Sequence, residues 1–153
     1  MTGRRYERRL VNELDGAGFE VVKSPSSGSG TGRDQPDLLA GSARTGLVVA
    51  VEAKSTRKDA YTVEEAEADQ LERFAEHFGA EPVVAVYWKG PPGGNKSYGG
   101  WWFRRLGGVR RSPSENAAGG HHLRPRREDR TGWASVTDLA RGRLEPERKK
   151  EQT

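Results

Sequence analysis

No cysteine occurs among the 153 residues, so the chain offers no disulfide, no thiolate nucleophile and no cysteine zinc site. Long apolar runs are missing too. None approaches the roughly 20 residues that span a bilayer, and no apolar stretch of a signal peptide follows the arginine-rich N-terminus. The reading is a soluble, intracellular (cytoplasmic) protein with no membrane partner. Hydrophobic residues make up only 33% of the chain, enough for one domain with a real core plus a stretch outside it. The Gly/Ser run from Ser24 to Gln35 lacks the Gly-Lys-Ser/Thr ending of a P-loop, so no nucleotide cofactor is expected.

Charge is present in both signs but unevenly placed. Residues 104–150 hold eleven Arg and two Lys against six acidic residues, a net +7, whereas residues 1–103 carry 13 basic and 15 acidic residues, a net −2. A basic segment favours a polyanion through counterion release, which makes nucleic acid the first partner to consider.

The chemistry concentrates between Pro36 and Lys54. Two apolar runs, Leu38-Leu39-Ala40 and Leu47 to Val51, flank a turn from Gly41 to Gly46, the pattern of a β-hairpin. Side chains alternate along a strand, so Glu52 and Lys54 share a face while Val51 and Ala53 take the other. The turn length brings Asp37, at the start of the first strand, beside Glu52. Two adjacent carboxylates repel each other, and a hard divalent cation with oxygen ligands, such as Mg²⁺, relieves that cost. The competing reading is a turn-starting Asp37 and a surface Glu52–Lys54 pair.

The rest of the chain supplies a scaffold. Residues 3–17 read as a helix with Tyr6, Leu10, Leu14 and Ala17 in register and Val11 widening the stripe. Glu7 sits on its flank among Arg4, Arg5, Arg8 and Arg9. It is either part of a solvated face or a third metal carboxylate framed by phosphate-binding arginines. Phe19 to Lys23 reads as a strand, and the Ser24–Gln35 loop has the small residues that let backbone amides approach a phosphate.

Val63 to Phe78 reads as a second helix. Thr62 and Glu65 fit a capping box, Ala66, Gln70, Phe74 and Phe78 form a stripe with Leu71 beside it, and Gly79 ends the helix. The acidic first turn, Glu64, Glu65 and Glu67, opposes the helix dipole, and Gln70 could face the active patch. Pro82 to Trp88 and Trp101 to Leu106 read as strands, with one ring of Trp101-Trp102 in the core and the other exposed, at a candidate subunit interface. Residues 107–131 show no periodicity and read as a disordered basic linker. His121-His122 lacks a second ligand cluster at zinc spacing. A short helix is expected within 134–144. The domain division is a folded unit over 1–106 and a basic Gly/Arg/Pro-rich tail over 107–153.

Taken in order, Gly3, Glu7-Arg8, Leu10, Gly18-Phe19, Val21-Val22-Lys23, Ser27-Gly28-Ser29, Pro36-Asp37-Leu38-Leu39-Ala40, Glu52-Ala53-Lys54-Ser55, Tyr61, Gln70, Phe74-Ala75 and Gly100-Trp101-Trp102-Phe103 resemble an archaeal-type Holliday junction resolvase of the PD-(D/E)xK nuclease superfamily. The resemblance covers residues 3–106. It implies an α/β, restriction-endonuclease-like core, with a central mixed sheet of about five strands flanked by helices. It also implies a homodimer and Mg²⁺-dependent nicking of opposing strands of a four-way DNA junction in recombination and repair, with Mn²⁺ as a possible substitute metal. By the resemblance Glu7, Asp37 and Glu52 are metal carboxylates, Lys54 stabilises the transition state, and Ser27 is a loop hydroxyl needed for cleavage. Arg8 contacts phosphate, joined by Arg4, Ser27, Arg33 and Arg57 as candidate DNA contacts. The rival readings are a nuclease of the same fold acting on other DNA structures and a non-catalytic junction-binding protein.

Overall fold

The structure is a computed structural model, and it describes residues 2–24, 35–57, 62–89, 100–109, 111–113, 121–123 and 132–145. Helix α1 (Thr2–Gly16) precedes β1 (Glu20–Lys23), β2 (Leu38–Gly41) and β3 (Val48–Thr56). Helix α2 (Glu65–Phe78) then leads to β4 (Glu81–Trp88), β5 (Trp101–Arg105), β6 (Arg111–Pro113), β7 (His121–Leu123) and the short α3 (Val136–Ala140). Strands β1 to β5 lie in sequence order in one sheet. Only β3 and β4 are parallel, and α2 makes the crossover between them that a parallel pair needs. The expected five-stranded mixed sheet flanked by helices is present.

Side-chain alternation splits the core into two layers. Val49, Val51, Val83, Ala85, Trp101 and Phe103 pack with Leu10 and Leu14 of α1, while Ala50, Val84 and Val86 pack with Ala68, Leu71 and Ala75 of α2. The α1 stripe is as expected: Leu10 and Leu14 are fully buried, with Tyr6, Val11 and Ala17 packed at their margin.

Helix α2 departs from the expectation in two ways. Its N-cap is Glu64, in extended conformation and without a side-chain cap, so the Thr62–Glu65 capping box does not form. Thr62 stands two residues outside the cap, too far upstream for its hydroxyl to meet the first turn's amides. The buried stripe is Ala68, Leu71 and Ala75; Ala66 is exposed, Phe74 half-buried and Phe78 exposed. Small alanines let the helix lie close to the sheet, which displaces the bulkier rings to the flank. Gly79 ends the helix with φ 86°, the left-handed conformation glycine adopts without penalty.

Beyond β5 two further pieces are described. Arg111–Pro113 pairs antiparallel with His121–Leu123, a ladder where no regular structure was expected; most of the intervening and following linker, 114–120 and 124–131, lies outside the described residues. Residues 132–145 pack against the sheet. Ala134 exchanges two backbone hydrogen bonds with Phe103, at 2.7 and 2.8 Å, covering the β5 edge. Trp133 is buried edge-on against Trp88 with ring centroids 5.0 Å apart, and Leu139 and Leu144 join the α1-side core. The expected helix is confined to Val136–Ala140, closed by a capping box between Ser135 and Asp138.

Candidate active site

The hairpin register decides the site. Leu38 pairs with Val51, which sets Asp37 against Glu52 one step further along the same antiparallel ladder. Both carboxylates fall on the α2 face of the sheet, where Leu39 and Ala50 also point. Asp37 is held in place: its Oδ2 accepts a hydrogen bond from the Ala53 amide at 2.8 Å. Ser24, just past the end of β1, is tied to the same spot: its amide donates to the Asp37 carbonyl at 3.0 Å and its hydroxyl donates to the Pro36 carbonyl.

Glu52 is the electrostatically loaded member. Burial first, and then the adjacent Asp37 carboxylate, push its pKa up from 4.5 to about 7; Lys54 opposes the rise and Glu67 adds to it. In its neutral form Glu52 donates a hydrogen bond to Asp37. Lys54 projects from the same face, its Nζ 3.8 Å from Glu52 Oε1 and 4.0 Å from Glu67 Oε2 of α2. Gln35, Pro36, Glu52, Glu67, Gln70 and Leu71 line a pocket of about 230 Å³ at this point. The sequence reading of Asp37, Glu52 and Lys54 as one patch matches this geometry, and Gln70 lines the pocket as one of its two readings held.

Glu67 was read from sequence only as a dipole-compensating residue of the first turn. No local signal separates it from Glu64 and Glu65; its position over the end of β3 comes from the packing of α2.

Glu7 lies on α1, and its Oε1 is 3.7 Å from Lys23 Nζ on β1, whose register partner Leu38 adjoins Asp37. Among the described residues no group of three or more His, Asp or Glu is placed to hold a metal ion. Arg4 and Arg8 are exposed on α1, and Arg57 is exposed just past the end of β3. Ser27 and Arg33 lie outside the described residues.

The donors at Asp37 and Glu52 are all carboxylate oxygens, the set a hard cation prefers. Burial lifts Glu52 most, and the further lift from the Asp37 carboxylate is a cost such a cation removes. The pair therefore fits a divalent metal such as Mg²⁺ on its chemistry.

A mixed sheet with one parallel strand pair, carrying an aspartate at one hairpin strand and Glu-x-Lys at the next, defines a restriction-endonuclease-like protein of the PD-(D/E)xK type. More narrowly, the chain belongs to the archaeal Holliday junction resolvase (Hjc) family, whose model matches residues 1–103. It is 35% identical over 91 residues to the crossover junction endodeoxyribonuclease of Sulfolobus islandicus rod-shaped virus 1, a match covering 58% of this chain and 73% of the relative. It is also 39% identical over 84 residues to the crossover junction endodeoxyribonuclease Hjc of Archaeoglobus fulgidus, covering 55% of this chain and 60% of the relative. A third relative, Hjc of Methanocaldococcus jannaschii, is 32% identical over 88 residues, 58% of this chain and 60% of that one. The match thus spans less than two thirds of the two cellular relatives. The fold is similar to the solved structure of A. fulgidus Hjc, a Holliday junction resolvase, with a TM-score of 0.68 at 24% identity, covering 90% of this chain and 98% of the other.

Proposed function

We propose that this protein is a structure-specific endodeoxyribonuclease that resolves four-way DNA junctions by paired nicks in opposing strands, in recombination and repair. The observation that carries the reading is the convergence of Asp37, Glu52 and Lys54 beside one pocket, in a chain of the Hjc family. Asp37 and Glu52 would hold the Mg²⁺ or Mn²⁺ ion, with Glu7 as the family's further carboxylate. When bound, such an ion supplies a nucleophilic water and charge to offset the phosphodiester under attack.

The chain's own groups do the remaining work. The Ala53 amide engages one oxygen of Asp37 and fixes the orientation of the carboxylate beside Glu52. Lys54 sets a positive charge where negative charge builds on the phosphate in the transition state. Ser27, three residues beyond the Ser24 anchor at Asp37, is the candidate loop hydroxyl, and Arg4, Arg8, Arg33 and Arg57 are candidate phosphate contacts. Recognition by backbone charge and shape suits a junction whose sequence varies. A homodimer would place two such sites on symmetry-related strands. Phe78, 54% exposed and stacked on Phe74 at 5.7 Å, is an apolar patch that supports a protein contact.

The test is cleavage, with Mg²⁺, of a labelled four-way junction beside a linear duplex of the same arm sequence, run with wild type and Asp37→Asn. Symmetric paired nicks on the junction alone, lost in the variant, are expected. Cutting of both substrates removes the junction specificity, and tight junction binding without cutting replaces the enzyme with a binding protein.

A further inference from the structure

We propose that Glu67 is a positioning residue for Lys54: the α2 carboxylate holds the ammonium at the mouth of the pocket, where it faces the scissile phosphate. The inference rests on the nuclease reading for its catalytic consequence, but not for its geometry.

Lys54 Nζ lies between two carboxylates from different elements, Glu52 Oε1 at 3.8 Å and Glu67 Oε2 at 4.0 Å. The Lys54, Glu52 and Glu67 side chains are 27%, 18% and 39% exposed, so all three are partly shielded from water. Glu67 Oε2 is shielded from solvent and accepts no hydrogen bond among the described residues, which leaves the Lys54 ammonium as the positive charge it faces. Glu67 and Glu52 both line the pocket, so the ammonium lies within 4.0 Å of two of the carboxylates that form its wall.

The two anchors differ in what else they do. Glu52 belongs to the carboxylate pair that would receive the cation, and a carboxylate engaged by a divalent ion attracts a lysine less strongly. Glu67 belongs to a helix, and its backbone is fixed by the neighbouring buried Ala68 and Leu71. It retains its full charge for Lys54 when Glu52 is engaged. A lysine carries four rotatable bonds, and confining it by a second anchor lowers the entropy lost on reaching the transition state. Nothing in the sequence motif around Glu52-Ala53-Lys54 specifies that anchor; it comes from the register of α2 over β3.

Two measurements test the proposal. The first needs no substrate: NMR relaxation of the Lys54 side-chain methylenes in the intact metal-free protein, with Lys23 and Lys89 as internal controls. Glu67→Ala and Glu67→Gln should both raise the mobility of Lys54 and leave the two controls unchanged. Unaltered Lys54 mobility in both variants overturns the proposal, whether or not the protein cuts DNA. The second is a single-turnover cleavage cycle with Glu67→Gln, Lys54→Ala and the double variant. Glu67→Gln should lower the cleavage rate roughly ten- to hundredfold with junction affinity unchanged, and it should add nothing once Lys54 is alanine. An independent, multiplying effect of Glu67→Gln in the Lys54→Ala background assigns Glu67 a role of its own and overturns the positioning role. Absence of cleavage by the wild type sinks the nuclease reading instead, and the relaxation result still decides what holds Lys54.

Discussion

The two faces of β3 come from one run of residues yet serve opposite ends. On the α1 face, Val49, Val51 and Ala53 carry the hydrophobic layer past the level of Glu52, with α1 and the 132–145 segment closing over it. On the α2 face the layer stops after Ala50, and Glu52 and Lys54 follow. A face covered along its length can only stabilise. A face left short of its covering helix has room for charged groups that are partly desolvated and still reachable. The raised pKa of Glu52 follows from that intermediate burial: deep enough to penalise the carboxylate, open enough to admit a ligand.

The largest expected effect lies on the open face. Asp37→Asn should reduce junction cleavage by about three orders of magnitude or more, the scale of losing an essential catalytic group, while melting temperature and junction affinity stay near wild type. Retained cutting would remove Asp37 from the site. On the closed face the converse holds. Leu10→Ala should destabilise the fold by about 2–5 kcal/mol, as expected for a fully buried leucine, and should leave the cleavage rate of the folded fraction unchanged. Urea unfolding together with cleavage at low temperature separates the two.

Glu52 links the faces through pH. Its folded pKa, about 7, lies above its ordinary 4.5. The ionised form therefore carries a penalty that is absent below about pH 4.5, grows across the window and is complete above pH 7. Glu52→Gln should accordingly be more stable than wild type at pH 8, by on the order of 3 kcal/mol, and similar to it at pH 4. Added Mg²⁺ should shrink the difference at pH 8 by stabilising only the wild type. A constant difference across pH would mean that the carboxylate pair is not strained.

The smallest effect is expected at the far margin of the sheet. Arg105 pairs with Glu81 at 2.6 Å and with Glu145 at 3.8 Å, but all three side chains are substantially exposed. Arg105→Ala should cost less than about 1 kcal/mol. A larger loss in thermal unfolding would show that this pairing, and not the buried Trp133, Leu139 and Leu144, holds the 132–145 segment in place.

The open face was legible in the sequence as far as local rules reach. Period-two alternation put Glu52 and Lys54 on one side, and the hairpin turn put Asp37 beside them. The same rules could not choose among Glu64, Glu65 and Glu67, since all three serve a helix dipole equally well. Nor could they choose between two stripes on α2: Ala66-Gln70-Phe74-Phe78 is as regular as Ala68-Leu71-Ala75, and only the sheet selects the one with small residues at the contact. The segment around Trp133 reads as too short to be stable alone; in the fold it buries an indole and two leucines in layers built by residues far away in sequence.

What the sequence determined by itself is therefore the hairpin, the strand faces and the chemistry of Asp37, Glu52 and Lys54, because backbone periodicity and turn length act over a few residues. The tertiary structure alone decided that Glu67 reaches Lys54, that Glu7 of α1 pairs with Lys23 of β1, and that residues 132–145 pair with the β5 edge through Ala134. Those outcomes depend on which faces of distant elements bury each other, and long-range packing leaves no periodic trace in the chain.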